Sequence, residues 1–221
     1  MPEAVIVDAI RTPIGRAMKG SLKTVRADDL AATPLRALVE RNPEVNFSET
    51  VDVMMGAASG IGEQGYNVGR NALLLAGIDH HVPGCTVNRF CASSLQTIRM
   101  AFHAIKAGEG DQYIAAGVEA VSRAGLGAGM PDEAKHPKLN GQNGSAYDVY
   151  IPMGLTAENV AERWDVSRED MDRYAQQSQE RAVAAQQSGF FEREISPYEG
   201  VTADDGPRPS STLEKLSSLE P

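Results

Sequence analysis

Cysteine is scarce. The 221 residues hold two, Cys85 and Cys91, too few for a disulfide framework in a chain of this length and too few for a structural zinc site. Two unpaired thiols fit a reducing compartment. Basic charge is also short, with 21 Lys and Arg against 30 Asp and Glu and a formal net charge of -9. That balance argues against a broad nucleic-acid surface, while leaving room for a local basic pocket for a phosphorylated ligand. No run of about 18 apolar residues occurs, so no membrane-spanning helix is expected. The opening MPEAVIVDAIRTPIG lacks the basic stretch and unbroken apolar run of a secretory signal. A soluble cytoplasmic protein is the expectation, and the ordinary apolar, charged and glycine content excludes disordered and collagen-like chains.

What is present reads as alternating strands and helices. Ala4–Ile10 (AVIVDAI) is a continuous apolar run, the mark of a strand buried on both faces, followed by a Pro- and Gly-bearing loop. From Asp28 to Glu40 the apolar residues Leu30, Leu35, Leu38 and Val39 recur at helical spacing, and Arg41-Asn42-Pro43 stops the helix. A second strand (VDVMMGAAS), a Gly-rich loop and a helix ending at Gly77 come next. A third strand around Cys85–Phe90, a helix from about Ala92 to Lys106 closed by Gly108, and a fourth strand in QYIAAGVEAV complete the series. This order predicts a layered α/β domain. Residues 125–150 are rich in Gly, Pro, Asn and Asp, which predicts a long irregular excursion and a domain boundary near residue 122. Beyond it the pattern is helical, with Ser167-x-x-Asp170 as a helix start of capping-box type and Met171, Tyr174, Ala175, Ala182 and Val183 as its apolar set.

Cys91 is predicted at the point where a buried strand turns into a helix with Leu95, Ile98, Phe102 and Ile105 toward the core. Free N–H groups and the positive end of the helix dipole favour a thiolate there, the form that acts as nucleophile. The competing reading is a small buried hydrophobe. Cys85, inside the strand, reads as packing; an extended strand holds it too far from Cys91 for a disulfide. Gly60-x-Gly62-x-x-Gly65 has the form of a dinucleotide fingerprint but follows the second strand rather than the first, so a flexible loop is the better reading. Of the four histidines, His103 lies 12 residues along the helix from Cys91, about 18 Å. His80 and His81 fall in a loop before the third strand, and His136 in the excursion, so none is assigned as a base.

Val87-Asn88-Arg89-Phe90-Cys91-Ala92-Ser93-Ser94 resembles the nucleophile signature of thiolases, VN-x-x-C-x-S followed by Gly or Ser. VDAIRTPIGR, GEQGYNVGRNALLLAGI and MGLTAENVAERWDVSREDMD resemble thiolase segments in the same order, and the pattern around Cys91 is most similar to 3-ketoacyl-CoA thiolases of fatty-acid β-oxidation. The resemblance implies a thiolase-like N-terminal domain over residues 1–122, a mixed five-stranded sheet layered with helices. It assigns 123–221 to part of a helical and irregular loop domain that covers CoA. It further implies an acyl-CoA acyltransferase that cleaves 3-ketoacyl-CoA with CoA, or condenses two acetyl-CoA, through an acyl-Cys91 thioester, with the Cys91 backbone N–H as one oxyanion donor. Met153 would line the pantetheine and acyl pocket, or else simply pack a loop. Arg208 would meet the CoA nucleotide, or else be a solvated surface arginine. No metal and no cofactor is implied, CoA being a substrate. The implied partners are acyl-CoA, CoA, a homodimer or homotetramer, and the hydratase/dehydrogenase subunit of β-oxidation.

One departure counts against activity of these residues alone. The family's C-terminal domain, with its Asn-Glu-x-x-Ala, Gly-His-Pro and Cys-x-Gly-Gly-Gly segments, is absent from the 221 residues, and Lys135-His136-Pro137 lacks the leading glycine. Two alternatives remain: a ketoacyl-synthase-type condensing enzyme, which also places a cysteine before a Ser-rich helix start, and a catalytically dead acyl-CoA-binding module.

Overall fold

The structure, a computed structural model, describes residues 2–125, 131–142, 144 and 147–220. It divides into two units: Met1–Leu126 with Gly189–Gly206, and Gly127–Ser188 with Pro207–Pro221. The sequence reading placed all of 123–221 together, whereas Gly189–Gly206 packs with the first unit. The joint is chemical as well as steric. Arg11 exchanges backbone hydrogen bonds with Glu194 and Ser196, pairs with Glu194 through Nε (2.6 Å), and grips both carboxylate oxygens of Asp204 (2.7 and 3.0 Å).

In the first unit, helix α1 (Ala27–Arg41) is followed by strand β1 (Asp52–Gly56), helix α2 (Val68–Leu75), strand β2 (Gly84–Val87), helix α3 (Ser93–Ala107) and strand β3 (Tyr113–Gly117). The strands form one parallel sheet in the order β2-β1-β3. Each strand thus returns through a helix, as parallel pairing requires. Val53 and Met55 point to the face covered by α2 and α1, and there the core gathers: Leu35, Val68, Ala72, Leu73, Val82 and Ile114 surround them. The opposite face, carrying Met54 and Gly56, takes α3.

Two expectations fail here. Ala4–Ile10 joins no ladder, and Val5, Ile6 and Val7 are 68, 78 and 86 % exposed. Among the described residues the sheet has three strands, all parallel, rather than five in a mixed arrangement. A cavity of about 1020 Å³ is lined by both the N-terminal segment and β3, with Val7, Leu38, Ile98, Phe102 and Ile114 among its walls. The second failure concerns α3. Its buried residues are Ser93, Thr97, Ala101 and Ala104, while Leu95, Ile98 and Phe102, expected in the core, are exposed. Only small side chains lie between this helix and the sheet; Ile98 and Phe102 border the cavity beside β3, and Leu95 is exposed.

The second unit is helical: α4 (Met153–Trp164), α5 (Arg168–Gln187) and the short α6 (Leu213–Ser217). Ser167 caps α5 by accepting the Asp170 N–H (3.1 Å), as its sequence pattern predicts. Arg168 ties α6 to α5 by donating to the carbonyls of Leu216 and Leu219. Met171 and Tyr174, of the apolar set that marks α5 in the sequence, are exposed. No helix among the described residues is long and apolar enough to cross a membrane.

The exposure pattern predicts an asymmetry under truncation. Met55→Ala should lower the unfolding free energy by about 2–5 kcal/mol, whereas Leu95→Ala on the outer face of α3 should change it by no more than about 0.5 kcal/mol. Urea unfolding followed by circular dichroism measures both.

Candidate active site

Parallel strands deliver their carboxyl ends to one side of the sheet, and the loops that follow β1, β2 and β3 meet there. Ala57 N–H donates to the Val87 carbonyl (3.0 Å) and Val118 N–H to the Gly56 carbonyl (2.9 Å), so the three strand ends are sewn together past the last ladder pair. Helix α3 begins directly on this surface. A Cβ on Gly56 would stand 2.5 Å from the Ser94 nitrogen, and one on Gly117 would collide with the Ser94 side chain. Both glycines are therefore required by close approach rather than by backbone conformation.

Between Val87 and Ser93 the chain must reverse from strand to helix. Phe90 makes the turn with φ of +48°, a left-handed conformation that costs a residue with a side chain about 1–2 kcal/mol. Surrounding hydrogen bonds hold it: Phe90 N–H donates to Asn88 Oδ1 (2.9 Å), and its carbonyl accepts from the Ser93 hydroxyl (2.6 Å) and the Ser93 N–H (3.0 Å). The Ser93 hydroxyl in turn accepts the Arg89 N–H (2.8 Å). Cys91 follows Phe90, two residues ahead of α3, and is exposed. A nucleophile on a strained strand-to-helix turn is presented above the sheet edge, open to a substrate carbonyl. The N–H groups of Ala92 and Ser93 that follow it donate to the carbonyls of Arg89 and Phe90 (3.1 and 3.0 Å), which fixes the turn.

Cys85 has a different environment. It sits within β2, half-buried on the face that also carries Asp52, and burial pushes its thiol up to about 11, with the Asp52 carboxylate adding to the rise. His80 and His81 flank Asp79 just ahead of β2, at the opposite end of the strand from Cys91, and are exposed; His81 Nδ1 lies 2.9 Å from Asp79 Oδ1. His103 lies far along α3. The Gly60–Gly65 loop is no dinucleotide cradle: its helix, α2, starts only at Val68, and a 3₁₀ turn at Gly62–Gln64 intervenes. Gln64, within this loop, pairs with Glu119 from the chain after β3; the sequence analysis singles out neither. No local motif marks them, because their partnership spans 55 residues.

Met153 and Arg208 belong to the second unit. Met153 is the first residue of α4 and is exposed. Arg208 donates its backbone N–H to Gln179 Oε1 (2.7 Å) and lines a cavity of about 190 Å³ with Gln179, Val183 and Pro209 against α5. Met153 does not line that cavity. Its size is below the roughly 300 Å³ lower bound of sites that enclose a whole ligand, so within this unit Arg208 offers one contact rather than a closed pocket.

The chain matches the family described as "Thiolase, N-terminal domain" over residues 4–221. It belongs to the thiolase family. Among curated relatives, the β-ketoadipyl-CoA thiolase of Pseudomonas aeruginosa is 46 % identical over 99 % of this chain and 59 % of its own length. The 3-ketoacyl-CoA thiolase of Idiomarina loihiensis is 40 % identical over 100 % of this chain and 58 % of its own. A crystal structure of the Bacillus anthracis acetyl-CoA acetyltransferase superposes with a TM-score of 0.81 at 32 % identity, covering 98 % of this chain and 58 % of that one. The chain thus spans about three fifths of the length of the thiolases it matches.

The two thiols should separate by pH. Iodoacetamide at pH 8 is expected to modify Cys91 and spare Cys85, because a thiol that ionises only near 11 stays protonated and unreactive below it. Cys85 modification should rise as pH climbs toward that value. Peptide mass mapping across a pH series provides the measurement.

Proposed function

We propose that this chain is the nucleophile-bearing part of a thiolase, an acyl-CoA acyltransferase working through an acyl-Cys91 thioester. One observation carries the reading: Cys91 is an exposed thiol on a left-handed strand-to-helix turn at the carboxyl end of a parallel sheet, in a chain of the thiolase family. In the proposed reaction Cys91 Sγ attacks the 3-keto carbon of a 3-ketoacyl-CoA. The C2–C3 bond breaks, and acetyl-CoA departs as its enolate and takes up a proton. The shortened acyl group stays on sulfur until a second CoA thiolate accepts it. The Cys91 N–H stabilises the oxyanion during each addition. The turn brings no histidine with it, so the base and the proton donor are assigned to the length of the relatives beyond the matched span.

For the substrate, the relatives of 46 and 45 % identity named as β-ketoadipyl-CoA thiolases favour a 3-oxo dicarboxylyl-CoA over the monocarboxylic 3-ketoacyl-CoA of β-oxidation, whose named relative stands at 40 %. The condensing-synthase alternative has no support among these relatives. An acyl-CoA-binding module without turnover would bind CoA yet leave Cys91 unacylated.

Treatment with acetyl-CoA, alone and with the complementary C-terminal portion of a relative, followed by peptide mass mapping, tests the proposal. The acetyl group is expected on Cys91 and absent from the Cys91→Ala variant. Acetylation of Cys85, or full transfer by Cys91→Ala, would overturn it. Arg208 is assigned to the nucleotide end of CoA, far from the reacting carbon. Arg208→Ala should therefore weaken CoA binding, by roughly ten- to hundredfold for a desolvated charge-assisted contact, and slow acyl transfer little. Calorimetric titration with CoA reads the first effect, and single-turnover rates the second.

A further inference from the structure

Gln64 is only 2 % exposed, and both ends of its amide are used. Nε2 donates to the Ser59 carbonyl (2.9 Å) and to Glu119 Oε1 (2.7 Å), while Oε1 accepts the Ala120 N–H (2.7 Å). Glu119, two residues past β3, also accepts the Ala58 N–H at Oε2 (2.7 Å) and the Ser59 N–H at Oε1 (3.3 Å). The loop after β1 is in this way clamped to the chain after β3. Its other side meets the nucleophile turn: the Ala58 carbonyl accepts from Asn88 Nδ2 (2.8 Å), and Asn88 Oδ1 accepts the Phe90 N–H. A continuous run of hydrogen bonds therefore leads from Gln64 and Glu119 through the Ala58 peptide and Asn88 to Phe90, the left-handed residue bonded to Cys91.

A left-handed residue with a side chain persists only where its surroundings over-determine it. Asn88 supplies one of those constraints, and the peptide that Asn88 holds is itself fixed by Glu119. Donor and acceptor directions along the run are also complementary: a carboxylate faces three N–H groups, and an amide faces one carboxylate, one carbonyl and one N–H. Neither side chain can be altered alone without setting like against like. We propose that Glu119 and Gln64 are positioning residues for Cys91, fixing the β1 loop so that Asn88 holds the Cys91 turn against the start of α3. The inference rests on the reading of Cys91 as nucleophile. Alkylation reports the geometry of the turn whether or not acyl groups are transferred, so the two can fail separately.

The test uses the 221-residue chain as wild type, Glu119→Gln, Gln64→Glu, Asn88→Ala and the Glu119→Gln/Asn88→Ala pair, with iodoacetamide rates at Cys91 and Cys85 measured by mass mapping at pH 8. Each single variant should slow Cys91 about fivefold, the scale of losing alignment with a helix N-terminus, while half-buried Cys85 stays protected. Asn88→Ala cuts the link between the Ala58 carbonyl and the Phe90 N–H, so adding Glu119→Gln to it should slow Cys91 no more than about twofold further. Cys85 is the control for a merely structural role, since general loosening would open it. The proposal is overturned if folded single variants keep the wild-type Cys91 rate, if Cys91 slows only in step with Cys85 opening, or if the effects of Glu119→Gln and Asn88→Ala multiply. Should the Glu119 and Gln64 variants fail to fold, Asn88→Ala on the exposed link decides: slowing with Cys85 protected supports the inference, and the wild-type rate defeats it.

Discussion

A methyl group at Gly56 would stand 2.5 Å from the Ser94 nitrogen, and one at Gly117 would run into the Ser94 side chain, so the first turn of α3 rests on bare backbone. The rest of the site follows from that approach. With the helix axis so close to the sheet, only Ser93, Thr97, Ala101 and Ala104 fit beneath it, and Leu95, Ile98 and Phe102 are turned outward. With the helix start pressed against the ends of β1 and β3, few residues remain to reverse the chain after Val87. Phe90 accordingly adopts the left-handed conformation that sets Cys91 in the open. Bulk at either glycine would lift the helix, relieve the turn and withdraw the thiol from the helix start.

The elements with strong local signals were legible in the sequence. Helical spacing from Leu30 to Val39, the Ser167 cap and the left-handed Gly108 fall where the pattern puts them, because propensity, capping and periodicity act within a few residues. Ala4–Ile10 shows where such signals end. A continuous apolar run states that a segment wants burial on both faces, but a strand also needs a neighbouring edge, and among the described residues Ala4–Ile10 pairs with none. The apolar stripe of α3 misled for a related reason. Hydrophobic periodicity names the greasier face, whereas the face against the sheet was chosen by size. The place of Cys91 between β2 and α3 was legible because motif and periodicity agreed on it. Gln64 and Glu119 were not, since only the crossing of the loops after β1 and β3 brings them together.

The strand order gives this crossing its place. β1 is central, with β2 on one side and β3 on the other, so the connections leaving β1 and β2 run in opposite directions across the sheet. The crevice at such a switch point, outside the carboxyl ends of the strands, is where open α/β sheets bind ligands. At that end of this sheet the β1 loop is held by Glu119 and is joined to Asn88 of the Cys91 turn.

Two thiols six residues apart show how sharply that geometry divides chemistry. Cys85 lies inside the ladder, its side chain against the sheet face shared with Asp52, and burial with a neighbouring carboxylate holds the proton on sulfur to about 11. Cys91 lies past the last ladder pair, where the strand has given way to an exposed turn. A thiol moved into β2 would gain rigidity from the ladder but lose exposure, and burial disfavours the charged form. One moved deeper into α3 would have its side chain turned toward the sheet or away from it. The strand-to-helix turn is held by hydrogen bonds and still leaves its thiol exposed. A thiolase that reacts through sulfur therefore depends on whatever keeps that turn from relaxing.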